Sequence, residues 1–448
     1  MAIEEGSINI ILRTMTFDIL VERRKEKMNR GRKPILMLLL VSFIAAFVTM
    51  PKVQAGTINV NNGMTTAQIN SAIASAVSGD VVQFAPGTYS LTTSLVAGVA
   101  GVTLQGDIAN PGNVIIDAGT IPANSGPKPP GRDRDAFQVV ANNVAIKGFK
   151  IINAWDLMTG AGDGWQNNGI TVGGDITLID WLEPYNKPIL IDGGTFSNNI
   201  IENCSNGIYL AMSKNVVVSY NTIRTSSTYT RADAGTGIIN WNTKAWGAGN
   251  WQDPTNNMIE NNVLEYNERT GICLGAWDPD LFTVSGTVIR GNVIQYNLRR
   301  AIDLMYITGP LLITKNDICS NGAEGIRVLY NVSGAEAFCN NIYDNTNFGV
   351  NVYDLATASL YAENNWWGSA TGPYHPTAHP SGLGDTVTDN VDFEPWSVYY
   401  PSCTQPVGGE WVPINAAKTL VQLVGSALAL SAIAASFVGF KRTKKRLS

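Results

Sequence analysis

The sequence is poor in charged residues, which make up 15% of it, and it has two histidines and five cysteines. The cysteines show no CxxC spacing and are odd in number, so spacing alone defines neither a zinc site nor a complete set of disulfides. Basic residues are scarce in the body. Residues 56–402 contain 16 Lys and Arg against 30 Asp and Glu, a net charge of 16 − 30 = −14. A body this acidic repels phosphate backbones, and we therefore expect no nucleic-acid partner.

The N-terminal end differs from the body, because it combines an apolar run with basic residues. Residues 35–50 are predominantly apolar, follow Arg30, Arg32 and Lys33, and precede Val53-Gln54-Ala55. This pattern predicts a leader and signal peptide over residues 1–55 and therefore an exported body. Alternatively, translation starts at Met28, which begins a conventional signal peptide, and residues 1–27 are not part of the natural protein.

The C-terminal end contains 22 uncharged residues from 419 to 440, enough to cross a bilayer core at about 1.5 Å per residue. A basic cluster follows at 441–446 and predicts the cytoplasmic side. We therefore expect a transmembrane helix over 416–440 and a cytoplasmic tail over 441–448. The protein would then lie in the cell membrane with a single pass and an extracellular body. A buried helix of a soluble protein is the alternative.

A repeat of about 24 residues occupies the body. Its pattern, Asn-x-(Ile/Leu)-x-x-Asn-x-x-x-Gly, alternates apolar residues at period two between turn residues, which is typical of short strands. A unit that cannot bury its own apolar side must stack on its neighbours. The sequence predicts an all-β, right-handed parallel β-helix over 56–375 and a terminal turn and stalk over 376–415. Copies begin at Asn198, Asn262, Asn292, Asn316 and Asn340, with degraded copies at Phe149 and Asn221 and a last first-position Asn at Asn364.

The Asn residues of the repeat have a structural interpretation and a ligand-binding one. Asn at equivalent bends tolerates left-handed backbone and can bond to the Asn of the next coil. We therefore predict that they form ladders. The first coil needs a cover for its strand edges, and Thr65 to Ser78 supplies one. Ile69, Ile73, Ala76 and Val77 there fall on one helical face, which predicts an N-terminal cap helix ending at Gly79.

The cap segment with its following GDVVQFAPGTY (79–89), the repeats, and the closing NNWWGSATGP (364–373) together resemble the pectate-lyase-like superfamily of right-handed β-helix proteins, of the extracellular repeat type. The resemblance covers about residues 57–375. It implies the fold and leaves the activity open. The tail at 406–415 is similar to the tails of membrane-anchored archaeal surface proteins.

Repeat spacing locates a candidate groove, because any excess over 24 residues must be looped out. Insertions of 25, 17 and 6 residues follow Phe149, Asn221 and Asn262, and the two longest split to either side of the Gly-Ile strand. Alternation predicts which residues of this strand point outward in successive coils. They are Thr171, Tyr209, Ile239, Cys273, Asp303, Arg327 and Asn351.

Tryptophans are concentrated in and beside the insertions. An indole presents a flat apolar face to a sugar ring and an N–H to its hydroxyls. We therefore predict that these residues bind an extended glycan together with Tyr209 and Asn351. Packing of the loops onto the coil is the alternative. The tryptophans are Trp155, Trp165, Trp181, Trp241, Trp246, Trp251 and Trp277.

Four charged residues at equivalent positions of adjacent coils are the catalytic candidates: Arg300 with Glu324, and Asp303 with Arg327. Two carboxyls suit a glycoside hydrolase, whereas arginines suit a lyase that neutralises a uronate carboxylate. A solvated salt-bridge network is the alternative. The signatures of polygalacturonases and the RxPxxR of pectate lyases do not occur, so enzyme activity stays open.

No metal site is evident from spacing, although calcium is a candidate cofactor. Acidic residues in the insertions could bind it, but they show no EF-hand-like pattern. His375 and His379 lie beyond the repeats in a Pro-rich segment. The acidic candidates are Asp156, Asp163, Asp175, Asp180, Asp233, Asp253, Asp278 and Asp280.

These observations predict a membrane-anchored extracellular β-helix that binds a polysaccharide or cell-surface glycan and, in an enzymatic version, cleaves it. The strand face flanked by 154–192 and 224–256 would hold the glycan. The alternative is a non-catalytic structural or adhesive surface protein that uses the β-helix as a rigid scaffold.

Overall fold

The computed structural model of the chain describes residues 55–121, 135–155, 167–173, 190–225, 235–242, 254–276, 284–354, 357–401 and 403. The predicted leader up to residue 54, the transmembrane helix and the cytoplasmic tail lie outside these residues. Within them, no helix has the length and apolar character needed to span a bilayer.

Three parallel sheets form the body, and the chain visits them in the order A, B, C in each coil. Strands are numbered β1 to β32 in chain order, and every pair between neighbouring coils is parallel. Each coil therefore supplies three short strands and three bends, as predicted. Sheet A contains β1 Thr57–Val60, β2 Val81–Phe84, β5 Thr103–Gln105, β8 Val144–Lys147, β11 Ile191–Ser197, β14 Ser213–Ser219, β17 Met258–Glu260, β20 Thr287–Arg290, β23 Thr308–Thr314, β26 Ser333–Phe338, β29 Leu360–Tyr361 and β32 Val391–Asp392.

The other two sheets have nine described strands each. Sheet B contains β3 Gly87–Ser90, β6 Val114–Asp117, β9 Lys150–Ile152, β12 Ile200–Glu202, β15 Thr222–Arg224, β18 Val263–Glu265, β21 Val293–Gln295, β24 Asp317–Cys319 and β27 Asn341–Tyr343. Sheet C contains β4 Leu95–Ala97, β7 Phe137–Val139, β10 Asn168–Val172, β13 Asn206–Leu210, β16 Thr236–Asn242, β19 Thr270–Ala276, β22 Arg300–Met305, β25 Glu324–Val328 and β28 Phe348–Val352.

The core lies inside the coils as vertical stacks of β-branched and leucine side chains. Burial of each such side chain stabilises the fold by about 1.5–3 kcal/mol, and branched side chains pack well on a pleated surface. In sheet B the inward column is Ile201, Ile223, Leu264, Ile294, Ile318 and Ile342, all fully buried.

An asparagine ladder joins seven coils at the bend between sheets A and B. The side-chain Nδ2 of each member donates to Oδ1 of the next at 2.9–3.0 Å, and the backbone N–H of each donates to the same oxygen. Buried bend groups are thereby satisfied coil by coil. The predicted ladder is confirmed, and its members are Asn199, Asn221, Asn262, Asn292, Asn316, Asn340 and Asn365.

The register of two copies differs by one residue from the prediction. Asn199 and Asn365 belong to the ladder, whereas Asn198 and Asn364 precede it with φ of 55° and 56°. Each ladder Asn from 199 to 365 is preceded by a residue in the left-handed region, a conformation that costs about 1–2 kcal/mol for most L-residues. The hydrogen bonds of the ladder offset that cost.

A second ladder runs along the bend between sheets B and C. Asn267, Asn297, Asn321 and Asn345 bond in sequence, with Nδ2 to Oδ1 distances of 2.7–2.9 Å. Thr225 precedes them, because its hydroxyl donates to Asn267 Oδ1 at 2.7 Å. Upstream, the predicted member Asn203 has φ of 51° and is followed by the buried Cys204.

The N-terminal cap is helix α1, Thr66–Ser75, which begins with a capping box between Thr65 and Gln68. It buries Ile69 and Ile73 against the first coil, as predicted. The helix ends three residues earlier than expected. Val77 is 52% exposed and not part of the apolar face, because its backbone N–H donates to Asp80 Oδ2 at 2.9 Å and turns the chain toward β2. A short 3₁₀ helix lies at Pro111–Asn113.

The C-terminal cap replaces the expected turn and stalk over the described part of 376–415. Strand β32 adds to sheet A beside β29, and β30 Pro373–Tyr374 pairs with β31 Gly384–Thr386. Trp367 is fully buried at the end of the core. A disulfide joins Cys339 to Cys403 with a Cα–Cα distance of 5.2 Å.

Replacing Asn292 in the middle of the first ladder tests the contribution of these bonds. Asn292→Ala leaves the backbone N–H of Asn262 and the carbonyl of Ile259 without their partners. We expect a loss of about 2–4 kcal/mol in the free energy of unfolding, measured by urea denaturation. Asn347→Ala, at an exposed position, should change it by less than about 0.5 kcal/mol. Equal effects of the two substitutions would contradict the ladder as a source of stability.

Asp385 makes the stability of the cap depend on pH. Its Oδ2 accepts hydrogen bonds from the backbone N–H and Nδ2 of Asn345, at 3.1 and 3.0 Å, and so ends the second ladder. Burial nevertheless raises the pKa of Asp385 to about 6, against the lowering effect of these bonds. An unfolded Asp titrates near 3.9, so folding favours the protonated acid, and this stabilisation is lost as pH rises from about 4 through 6.

Asp385→Asn should therefore stabilise the protein by about 1–2 kcal/mol at pH 7 and have little effect at pH 4. Thermal unfolding followed between these pH values measures the difference. Asp392→Asn, an exposed change in the same cap, is the control and should parallel the wild type. A constant difference between Asp385→Asn and wild type across the range would rule out the titration.

Candidate functional site

The outer face of sheet C carries the predicted column of outward residues in register. Pairing places Thr171, Tyr209, Ile239, Cys273, Asp303, Arg327 and Asn351 beside one another in successive coils, which confirms the predicted alignment. Asn240 points inward and is fully buried, in line with Leu210 and Leu274. A second outward column lies at the start of the strands: Asn168, Asn206, Thr236, Thr270, Arg300, Glu324 and Phe348.

Long connections enter and leave sheet C, as the insertion lengths predicted. Those between strands β9 and β10 and between β15 and β16 enter the sheet, and those after β10, β16 and β19 leave it. A further long connection, residues 118–136 between β6 and β7, was not predicted. The repeat pattern is degraded in that part of the chain, so spacing gave no measure of its length.

The face divides into a closed part and an open part. Thr171 is fully buried, and Tyr209 and Ile239 are 8% and 6% exposed although they point away from the core. Tyr209 and Ile239 belong to a separate apolar cluster with Ala211, Met305 and Leu329. The face over β10 to β16, where we predicted the glycan, is therefore closed to solvent, and Tyr209 packs in an apolar cluster. The open part lies over β22 to β28.

The four predicted charged residues meet in this open part and form two linked ion pairs, which we call the charge quartet. Arg327 Nε lies 2.8 Å from Asp303 Oδ1, and its Nη2 binds the other oxygen of the same carboxylate. Arg300 Nε lies 2.9 Å from Glu324 Oε2, and Arg300 Nη1 lies 3.8 Å from Asp303 Oδ2. Arg300 thus links the two pairs. Asn351 Nδ2 is 3.4 Å from Glu324 Oε1.

Burial makes this quartet unlike a solvated surface pair. The side chain of Asp303 is 2% exposed and those of both arginines are 16% exposed. Burial and the charge of Arg327 lower the pKa of Arg300. For Arg327 burial is again the largest effect and lowers the pKa, but the hydrogen bonds to Asp303 together with the charges of Asp303 and Glu324 outweigh it and raise the pKa. Both guanidiniums stay charged at neutral pH because an arginine titrates above about 12.

Cys273 lies next to Asp303 in the outward column. Burial raises the pKa of its thiol to about 12, and the charge of Asp303 acts in the same direction. A thiol held protonated is a poor nucleophile. The quartet and not the cysteine therefore carries the chemistry available on this face.

Tyrosines beside the quartet were not predicted. Tyr306 and Tyr330 follow β22 and β25, have ring centroids 5.8 Å apart with planes tilted by 32°, and recur at the 24-residue period of the coil. Tyr353, directly after β28, is 65% exposed. The 24-residue spacing of Tyr306 and Tyr330 in the sequence would have predicted that they lie side by side in adjacent coils. They give the open part of the face flat apolar surfaces at the ends of its strands.

Most of the predicted tryptophans lie outside the described residues: Trp165, Trp181, Trp246, Trp251 and Trp277. Trp155 is half-buried three residues after β9. The backbone of Trp241 belongs to β16 and pairs with Gly275. Their assignment to glycan binding stays a prediction.

The calcium prediction also stays open, because all eight candidate aspartates lie outside the described residues. Within the part of the chain that the structure describes, no group of three or more His, Cys, Asp and Glu could hold a metal. His375 belongs to the C-terminal cap. Its Nδ1 accepts a hydrogen bond from the Ala378 N–H at 2.9 Å, and its Nε2 lies 3.2 Å from Asp389 Oδ1.

Known structures share this architecture. The alginate lyase from Paenibacillus sp. str. FPU-7 superposes with a TM-score of 0.50 at 16% identity, covering 75% of this chain and 99% of that one. Pectate lyase Pel9A superposes with a TM-score of 0.47 at 13% identity, covering 77% of this chain and 80% of that one. The A-module of the Azotobacter vinelandii mannuronan C-5 epimerase AlgE4 superposes with a TM-score of 0.43 at 17% identity, covering 76% of this chain and 94% of that one. At these identities the likeness concerns the fold alone, which is the parallel β-helix that the sequence predicted.

The chain belongs to the family described as "Protein of unknown function (DUF1565)", which matches residues 55–318. A search of the curated proteins found no match. The archaeal-type tail at 406–415 lies outside the described residues and stays a prediction.

A double-mutant cycle tests the buried quartet. Asp303→Asn leaves two guanidiniums with one carboxylate in a partly buried site, and we expect it to lower the free energy of unfolding by about 3 kcal/mol. Adding Arg327→Gln should recover about half of this loss, because the unpaired charge is removed. Urea denaturation measures both. The exposed pair Lys214 and Asp192, with Nζ to Oδ2 of 3.3 Å, is the control and should couple by less than about 1 kcal/mol. Additive losses at the quartet would contradict its description as a linked network.

Proposed function

We propose that this protein binds a polysaccharide along the open part of the outer face of sheet C, over β22 to β28. The observation that carries the proposal is the charge quartet flanked by recurring tyrosines on one side of a parallel β-helix. Guanidinium and carboxylate groups offer hydrogen bonds in fixed positions, and tyrosine rings offer apolar faces to sugar rings. Known structures that share the fold include proteins named as an alginate lyase and a pectate lyase. These names support a polysaccharide as the ligand.

An extended ligand suits this face because the coils repeat along it. Successive members of an outward column are about 4.8 Å apart, so one sugar residue spans roughly one coil. Arg327 and Asn351 lie in adjacent coils, and Tyr330 and Tyr353 lie at the same end of their strands. A chain of several sugars would then contact residues from three coils.

Cleavage is the enzymatic form of this proposal. In a hydrolase, Glu324 and Asp303 would supply the acid and base, whereas in a lyase the arginines would bind a substrate carboxylate. Both carboxylates already accept guanidinium hydrogen bonds within the protein. A substrate that displaces one of these bonds would free a carboxylate oxygen for proton transfer.

The second candidate is a structural or adhesive surface protein. The closed ion pairs of the quartet favour it, because each arginine has a partner within the protein. A coil held by two ladders and capped at both ends would serve as a rigid scaffold, with the open face of sheet C as its contact surface.

We also propose that the body is exported and held at the membrane by residues 416–440. The uncharged run with its basic flank supports the anchor. The Cys339–Cys403 disulfide supports an oxidising compartment, where such bonds persist. Membrane fractionation of the chain before and after truncation at residue 415 tests this location.

Substitution of Tyr353 tests the binding face. Tyr353→Ala removes the most exposed ring beside the quartet and should weaken polysaccharide affinity about tenfold, measured by affinity electrophoresis against a panel of polysaccharides. Tyr361→Ala removes an exposed ring from β29 of sheet A and is the matched control. Absence of binding to every polysaccharide in the panel, or equal effects of the two substitutions, would leave the scaffold function.

The same panel decides between binding and turnover. New reducing ends without unsaturated products indicate a hydrolase, and unsaturated products indicate a lyase. An Asp303→Asn variant that folds and retains full activity would remove the catalytic assignment of Asp303.

A further inference from the structure

We infer that the polysaccharide bound on the open face of sheet C is uncharged and not a polyuronate. This inference rests on the proposed function and specifies the ligand class of the same site. It comes from the balance of charge on the face.

The charge quartet is neutral as a unit. Two guanidiniums face two carboxylates, with one Nε to carboxylate contact of 2.8 Å and another of 2.9 Å. A uronate carboxylate bound here would be a third anion against two cations in a partly buried site. Opposed carboxylates in such surroundings are strongly disfavoured unless one of them takes up a proton.

No other described residue of the two outward columns adds a cation. Apart from the quartet, the members of these columns from 168 to 351 are Asn, Thr, Tyr, Ile, Cys and Phe. The residues next in line after them over β22 to β28 are Met305, Leu329 and Tyr353, which are also uncharged, and the first two are buried in the apolar cluster. The quartet therefore supplies the only guanidiniums of the two columns, and two further arginines, Arg269 and Arg299, directly precede the second column.

The segments that connect sheet C to the other sheets are acidic on balance, which further disfavours an anionic polysaccharide. Segments 122–134, 156–166, 174–189, 226–234, 243–253 and 277–283 together contain six basic and ten acidic residues, a net charge of 6 − 10 = −4. The body as a whole carries −14. A field of this sign lowers the local concentration of an anionic polymer and does not affect a neutral one.

A neutral sugar fits the same groups well. Its hydroxyls can donate to the carboxylate of Glu324, which is less buried than Asp303, and accept from the guanidinium N–H groups that the ion pairs leave over. Its C–H face can lie on Tyr330 or Tyr353. No proton has to be taken up and no ion pair has to be broken.

Affinity electrophoresis with defined polymers tests the inference. The full chain in detergent should be retarded by at least one of dextran, galactomannan and xyloglucan, and by neither polygalacturonate nor alginate, with EDTA present. Retardation by the neutral polymer should not change when NaCl is raised.

Glu324→Gln provides the charge test. It leaves the quartet with a net positive charge, and affinity for polygalacturonate should rise about tenfold at low salt and fall again as salt is added. Glu260→Gln is the matched control. It frees Arg290, whose Nε lies 2.7 Å from Glu260 Oε2 on sheet A, and should produce no such gain. The thermal unfolding of both variants is compared with wild type.

The outcomes separate the two proposals. Retention by no polymer overturns the proposed function and this inference with it. Salt-sensitive retention of the wild type by polygalacturonate or alginate overturns the inference alone and keeps the polysaccharide function. If Glu324→Gln does not fold, the salt response of the wild type decides.

Discussion

Hydrogen bonding between equivalent asparagines keeps the coils in register, and the rest of the structure depends on it. Each buried Asn in the first ladder serves the backbone of its neighbour as well as its side chain, so one residue type satisfies the polar groups of a whole bend. Coils held in this way stack with residues about 24 positions apart as direct neighbours. Asp303 and Arg327 form an ion pair only because of that stacking. A sheet whose coils slipped by one residue would separate the two charges and turn apolar side chains outward.

Sheet C differs from the other two sheets in being buried on both faces over part of its length. Parallel sheets of this kind are usual where other elements cover both faces. The apolar cluster around Tyr209 and Ile239 gives way to the charge quartet two coils later, so the face changes from closed and apolar to open and polar along the axis. The ligand position that we propose rests on this change of character and not on the length of the neighbouring loops.

Much of the fold could be predicted from the sequence, since period-two alternation with Asn and Gly at a fixed spacing has few other physical solutions. The outward column from Thr171 to Asn351 followed from alternation alone. The one-residue error at Asn198 arose because Asn198 and Asn199 are adjacent, and either tolerates a left-handed bend; only the contacts between coils decide which one does so. The closure over Tyr209 could not be predicted, because exposure depends on what packs above a residue. Tyr306 and Tyr330 were overlooked although they share the coil period. The pairing of Cys339 with Cys403 needed the cap to bring them together.

The two ends of the coil also determine what the protein does not do. A stack of parallel strands offers unpaired N–H and C=O groups at its last turn, and identical molecules could in principle add there and grow into fibres. Helix α1 covers the first coil, while at the other end Trp367 fills the core and sheet A finishes in a strand of two residues. So short a final strand, tied near the disulfide, is a poor template for another copy. The terminal coils thus oppose end-to-end addition of further copies.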